Sequence, residues 1–199
     1  ADKGEKAANR AKRAEILTRI EGLKHLSAQG KLGQATNWIN DFLDTGNKLV
    51  VFANHRDMID ELAERYGNRA VRLDGLVSAA QRQKAVDRFQ NEDGVQLFIG
   101  QIQAAGEGIT LTAANDVAFL ELPWTPGALV QCEDRCHRIG TEGSVNIYYL
   151  LAQNTIDERI ARLIDHKRAV LDSVIDGAAP DESTMLSALI EAYSEEDTT

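Results

Sequence analysis

The chain has 199 residues, 43% hydrophobic and 27% charged, with a net charge of −9, which suits one ordinary globular domain with small appendages. No apolar run approaches the about 20 residues that cross a bilayer, and the opening ADKGEKAANRAKRAEI has no apolar signal-peptide core, so no membrane partner and an intracellular place are expected. The acidic balance argues against a whole-domain nucleic-acid binder, although a local basic stripe can hold phosphates while the acid collects elsewhere, here in the terminal SEEDTT. The first residue is not Met, so the chain reads as processed or excised from something longer.

Residues 5–29 are rich in Ala, Lys, Arg and Glu with Ile16, Leu17 and Ile20 at helical spacing, and QATNWINDFLDTG (34–46) places Trp38, Ile39, Phe42 and Leu43 on one face before Gly46. Two helices are predicted there, as an N-terminal helical extension over 1–46. The pattern then changes. KLVVFAN (48–54) is a continuous β-branched run, as a strand covered on both faces requires, and 56–67 is an amphipathic helix ending on Gly67. RAVRLDG is a second strand, and Ser78 opens a helix over 78–90 as its N-cap. VQLFIG and DVAFLEL (116–122) are the third and fourth strands. Thr125 and Pro126 start a helix over 126–138 that Gly140 closes. SVNIYYLLA (144–152) is a fifth strand; Thr155 caps a helix to about Ile175, and a short helix near 184–193 sits in the tail, 177–199. Strands alternating with helices imply an α/β fold, a parallel sheet with helices on both faces. Ligands of such sheets gather at the carboxyl ends of the strands.

On the helix over 126–138, Gln131, Asp134, Arg135 and Arg138 fall at i, i+3, i+4 and i+7 and share a face. Two arginines one turn apart present forked donors to adjacent phosphoryl oxygens, although a solvated face with Asp134 paired to Arg138 uses the same residues. Cys132 and Cys136 also share a face, but with only His137 beside them they fall short of a four-ligand zinc site and read as reduced thiols. No metal is assigned to this chain.

The string QCEDRCHRIG, Gln131 to Gly140, resembles motif VI of superfamily two helicases in the form used by SWI/SNF-type DNA translocases. AAGEGITLTAAN (104–115) resembles motif V and KLVVFANH motif IV, while RLDGLVSAAQRQKAVDRFQ, ELPWTPG and NTIDERI resemble the intervening and following segments. The similarity covers about residues 31–176, and the WTPG and EDRCHRIG wording is most like the annealing-helicase (HARP-like) branch. The resemblance implies a RecA-like lobe over 47–176 that faces an N-terminal RecA-like lobe across an ATP cleft. It makes Arg138 the arginine finger and Arg135 its companion, with Gln131 near the phosphates or coupled to the partner lobe. Gly106, Glu107 and Gly108 become the turn that nears the nucleotide, where glycine lets backbone approach closely. For the DNA backbone it points to Asn54, His55, Arg56, Thr110 and Thr112, with Arg82 a further candidate; His55 reads equally as a surface-loop residue. Amides and hydroxyls of this kind contact phosphate without reading sequence. Trp124 either stacks on a base or anchors its loop against the core. Thr141 and Pro123 depart from the family wording without touching the arginines.

A phosphate-cradling loop and a magnesium acid are missing. Gly30-Lys31 is followed by Leu32 and lacks a Gly-x-x-x-x-Gly-Lys-Ser/Thr context, and Asp60 to Ala63 (DELA) imitates a DEAD box inside an amphipathic helix, where its acids should face solvent. ATP and Mg2+ are therefore expected to be held mainly by the absent lobe, and this chain alone is expected to be inactive. Two alternatives stand beside this reading: a free-standing, non-catalytic lobe that binds a partner motor or nucleic acid, and an RNA helicase lobe, against which the Glu-Asp before the first arginine argues.

Overall fold

The computed structural model describes residues 2–105, 109–123, 126–134 and 144–173. In chain order these form α1 (Asp2–Leu43), β1 (Leu49–Ala53), α2 (Arg56–Tyr66), β2 (Ala70–Leu73), α3 (Ala79–Asn91), β3 (Leu97–Gln101), α4 (Ile102–Ala105), β4 (Asp116–Phe119), α5 (Pro126–Glu133), β5 (Asn146–Tyr149) and α6 (Ile156–Ser173). The five strands make one sheet in the order β2-β3-β1-β4-β5, every pair parallel. The expected RecA-like sheet is thus the observed one.

Strand side chains alternate between faces, and the alternation sorts two cores. Val50, Phe52, Val71, Leu73, Phe98, Val117 and Phe119 point to one side and meet Phe89 of α3, Leu129 of α5 and Ile156 and Ile160 of α6. Leu49, Val51, Ala53, Leu97, Ile99 and Ala118 point to the other and meet Ile39 and Leu43 of α1 and Ile59 and Leu62 of α2. Each large side chain withdrawn from water in this way contributes roughly 1.5–3 kcal/mol. The central strand β1 is buried at all five positions, which is why its sequence is apolar throughout. The edge strand β5 is only partly covered, and it is shorter than the 144–152 span its sequence suggests.

Ser78 caps α3 with a complete capping box: Gln81 N donates to Ser78 Oγ at 3.3 Å and Ser78 N donates to Gln81 Oε1 at 3.2 Å. The two predicted N-terminal helices, in contrast, are one 42-residue helix. Gly30 and Gly33 lie inside it and cost about 1 kcal/mol each relative to alanine. That cost is outweighed by the residues around them: Ala28, Leu32, Ala35, Ile39 and Leu43 are all buried, and Lys31 is bonded into the body of the lobe. Gly46, at φ +84°, ends the helix as the sequence suggests, its N–H donating to Leu43 O at 3.1 Å. The short helix near 184–193 lies outside the described residues.

Candidate functional site

The direction of the chain changes between β1 and β4. The link from β1 leads by α2 to the β2 edge, whereas β4 leads to β5 on the opposite edge. Such a switch point leaves a crevice at the carboxyl ends of the strands. Here a buried carboxylate occupies it. Glu121, just beyond β4 and 3% exposed, accepts the N–H groups of Asn54 and His55 through Oε2, each at 2.8 Å, and bonds His55 Nδ1 through Oε1. The first N–H groups of a helix have no partner within it, and α2 has no side-chain cap of its own. Glu121 supplies the acceptor from another strand, where the positive end of the helix also favours a negative charge.

The network continues in both directions. Gln101, the last residue of β3, donates from Nε2 to Asn54 O at 3.2 Å and accepts Gly75 N–H through Oε1 at 3.2 Å. On the other side, His55 stacks on His25 of α1, with ring centroids 4.3 Å apart, and its Nε2 lies 3.6 Å from Glu21 Oε2. His25 Nε2 in turn bonds Asp57 Oδ2 at 2.6 Å. Burial pushes the Asp57 carboxyl up, but the hydrogen bond and charge of His25, with a bond from Gln29, outweigh it and hold the group below its ordinary value. Lys24, one turn from Glu21, is pulled below the ordinary lysine value by burial, partly opposed by Glu21, Glu121 and Asp157. A continuous polar chain thus joins the ends of β2, β3, β1 and β4 to α1.

Asn54, His55 and Arg56 stand together at this edge. Asn54 has both backbone groups engaged, while its carboxamide makes no hydrogen bond among the described residues. Arg56 is exposed, 3.7 Å from Asp60. Next to them, Asp74 folds the loop after β2 by accepting Leu76 N–H at 2.9 Å, and leaves Leu76 70% exposed. Thr110 and Thr112 are placed differently. They lie on the segment returning toward the start of β4, tied to the end of α3: Gln90 Nε2 donates to Thr110 O at 3.1 Å and Thr112 Oγ1 at 3.2 Å, and Gln90 Oε1 accepts Ala113 N–H at 2.7 Å. Arg82 reaches from α3 to Ala104 O at 3.4 Å. Gln131 is on the exposed side of α5, and Cys132 is buried beneath it, its thiol 3.9 Å from Ile102 O.

Arg135, Arg138, Gly106, Glu107, Gly108 and Trp124 lie outside the described residues, as do Cys136 and His137. The two imitations of nucleotide-binding motifs resolve on structure. Lys31 is buried mid-helix and bonds Asp157 Oδ2 and Leu150 O, both at 2.6 Å, so it cannot cradle phosphate. In DELA, Asp60 pairs with Arg72 and Arg56, Glu61 with Arg65, and Leu62 is core. Sequence reasoning overlooked Glu121 and Gln90, which stand at the ends of the ELPWTPG and RLDGLVSAAQRQKAVDRFQ strings without having been singled out, and Gln101 and His25, which lie in none of the strings.

A parallel sheet whose β1 and β4 ends are joined by a buried acid, with a partly exposed amide and an exposed guanidinium beside them, defines a RecA-like α/β lobe. The helicase conserved C-terminal domain model matches residues 34–140, and the chain belongs to that family, in its SWI/SNF branch. It is 40% identical over 149 residues to the SWI/SNF-related matrix-associated actin-dependent regulator of chromatin subfamily A-like protein 1 of Xenopus tropicalis, covering 73% of this chain and 16% of that protein. To the human (Homo sapiens) DNA annealing helicase and endonuclease ZRANB3 it is 39% identical over 155 residues, 76% of this chain and 14% of that protein. Among solved structures, the Sulfolobus solfataricus SWI2/SNF2 ATPase core in complex with dsDNA superposes with a TM-score of 0.72 at 25% identity, covering 94% of this chain and 41% of that one. The chain therefore corresponds to a small part of these relatives.

Proposed function

We propose that this chain is the second motor lobe of an ATP-dependent DNA translocase, acting with an N-terminal RecA-like lobe. What carries the reading is the colinearity of motifs IV, V and VI inside a helicase C-terminal lobe, together with likeness to an ATPase core solved on duplex DNA. In this reading Arg138 is the arginine finger and Arg135 binds beside it, offsetting charge that develops on the γ-phosphate in the transition state. Gln131 and the Gly106–Glu107–Gly108 turn link that site to the lobe. Asn54, His55 and Arg56 contact DNA phosphates, with Thr110, Thr112 and Arg82 as secondary candidates. Mg2+ and most of the ATP are held by the partner lobe in this reading.

The test is ATP turnover by the two-lobe protein with and without duplex DNA. Arg138→Ala should lower the DNA-stimulated rate by about 10³-fold or more, and the chain of 199 residues alone should not turn ATP over. Undiminished turnover in the variant sinks the role assigned to Arg138. A lobe that binds DNA or a partner motor with no ATPase in its parent protein would favour the non-catalytic alternative.

A further inference from the structure

The carboxyl-edge network contains a residue whose bonds are matched to one function. Asn54 is held by its backbone from two sides: its N–H by Glu121 of the β4 end at 2.8 Å and its carbonyl by Gln101 of the β3 end at 3.2 Å. The Gln101 carboxamide is engaged at both atoms, since its oxygen takes Gly75 N–H at 3.2 Å. It therefore sets the separation between the loop after β1 and the loop after β2, on strands that are not adjacent: β3 lies between them. The side chain of Asn54 is left out of this network and partly exposed at the edge.

A group that must meet phosphate without reading sequence gains from having its backbone fixed beforehand, because ordering it on binding costs affinity. We propose that Gln101 is a positioning residue for DNA binding: it holds the Asn54 backbone against the Gly75 loop so that the Asn54 carboxamide is presented to a phosphate of the duplex. This inference rests on the DNA-motor reading above and adds a residue outside the family motifs used to reach it. Gln101 also leads directly into α4, within which the string resembling motif V begins.

The experiment titrates duplex DNA into the two-lobe protein and reads the concentration giving half of the maximal ATPase stimulation. Gln101→Met keeps the length of the side chain and removes both bonds. It should raise that concentration about tenfold, the size expected from one hydrogen bond, with the rate at saturating DNA retained. Asn54→Ala should raise it similarly. The double variant decides the matter: if Gln101 acts through Asn54, adding Gln101→Met to Asn54→Ala changes the half-saturating concentration less than about twofold, whereas independent effects multiply. Multiplication overturns the proposal, and so does a Gln101→Met protein that binds DNA like the parent. A merely structural role would lower the melting temperature and move the Asn54→Ala background as much as the parent. Should Gln101→Met fold poorly, Gln101→Leu in the same cycle gives the same reading. A parent protein whose ATPase ignores DNA overturns the motor reading itself, a result visible before any variant is made.

Discussion

Removing one partner of the Lys31–Asp157 pair should be among the most damaging single changes in the lobe. Both side chains are buried, 7% and 8% exposed, and their charged atoms are 2.6 Å apart. Lys31 Nζ also donates to Leu150 O at 2.6 Å, and Asp157 Oδ2 also accepts Ala152 N–H at 3.0 Å. In Asp157→Ala the ammonium stays buried with a single neutral acceptor, and the Ala152 N–H loses its bond. Breaking a buried pair from one side costs about 3–5 kcal/mol. For a domain of this size, 1 kcal/mol moves the melting temperature by roughly 2–4 °C, so a loss of about 6–20 °C is expected. Lys31→Met/Asp157→Leu removes both charges together and should recover most of that loss, since apolar replacement of a whole buried pair is often neutral. Urea denaturation of the two single variants and the double variant measures the coupling. A single-variant cost below about 1 kcal/mol, or costs that simply add in the double, would refute the view that this pair bolts α1 to the start of α6.

Other changes test the core and the titrating groups. A Cβ added to Gly100 would lie 2.8 Å and 2.9 Å from ring atoms of Phe52, so Gly100→Ala should destabilise by about 1–3 kcal/mol, and Phe52→Leu in the same chain should recover part of it; a Gly100→Ala protein with an unchanged urea midpoint contradicts the packing described. Because burial lowers the Lys24 pKa below 10.5, the unfolded chain binds more protons than the folded one between the two values. The contribution of Lys24 to stability therefore rises with pH across that window. Lys24→Met should flatten this rise, measured as melting temperature from about pH 7 to about pH 9.5; an identical slope in the variant counts against the assignment.

The sheet was legible because its strands are short apolar runs separated by amphipathic helices, a pattern that local sequence carries in full. The motif IV string also placed Asn54 and His55 just after a strand, where the structure has them, with Arg56 opening α2. The continuity of α1 was not legible, because Gly30 and Gly33 are local signals against a helix, and the burial of Ala28, Leu32 and Ala35 that overrides them depends on α2 and the sheet. Thr110 and Thr112 show a related limit: a motif string lists residues side by side, but Gln90 draws both toward the end of α3 rather than to the Asn54 edge.

One part of the site could have been found from sequence by asking where the backbone hydrogen bonds go. The residue before α2 is His55, not the Ser, Thr, Asp or Asn that usually caps a helix. A buried helix start without a cap requires an acceptor from elsewhere in the fold. In a parallel sheet with the β1 end beside the β4 end, that acceptor has to come from the residues just after β4, and ELP offers one acid there, Glu121. The same acid takes His55 Nδ1, so Glu121→Gln would put an amide where a carboxylate now receives three donors. The missing cap and the buried acid are thus one feature: the loop that carries Asn54 is fixed by a carboxylate 67 residues further along the chain, through the Asn54 backbone and not through its carboxamide.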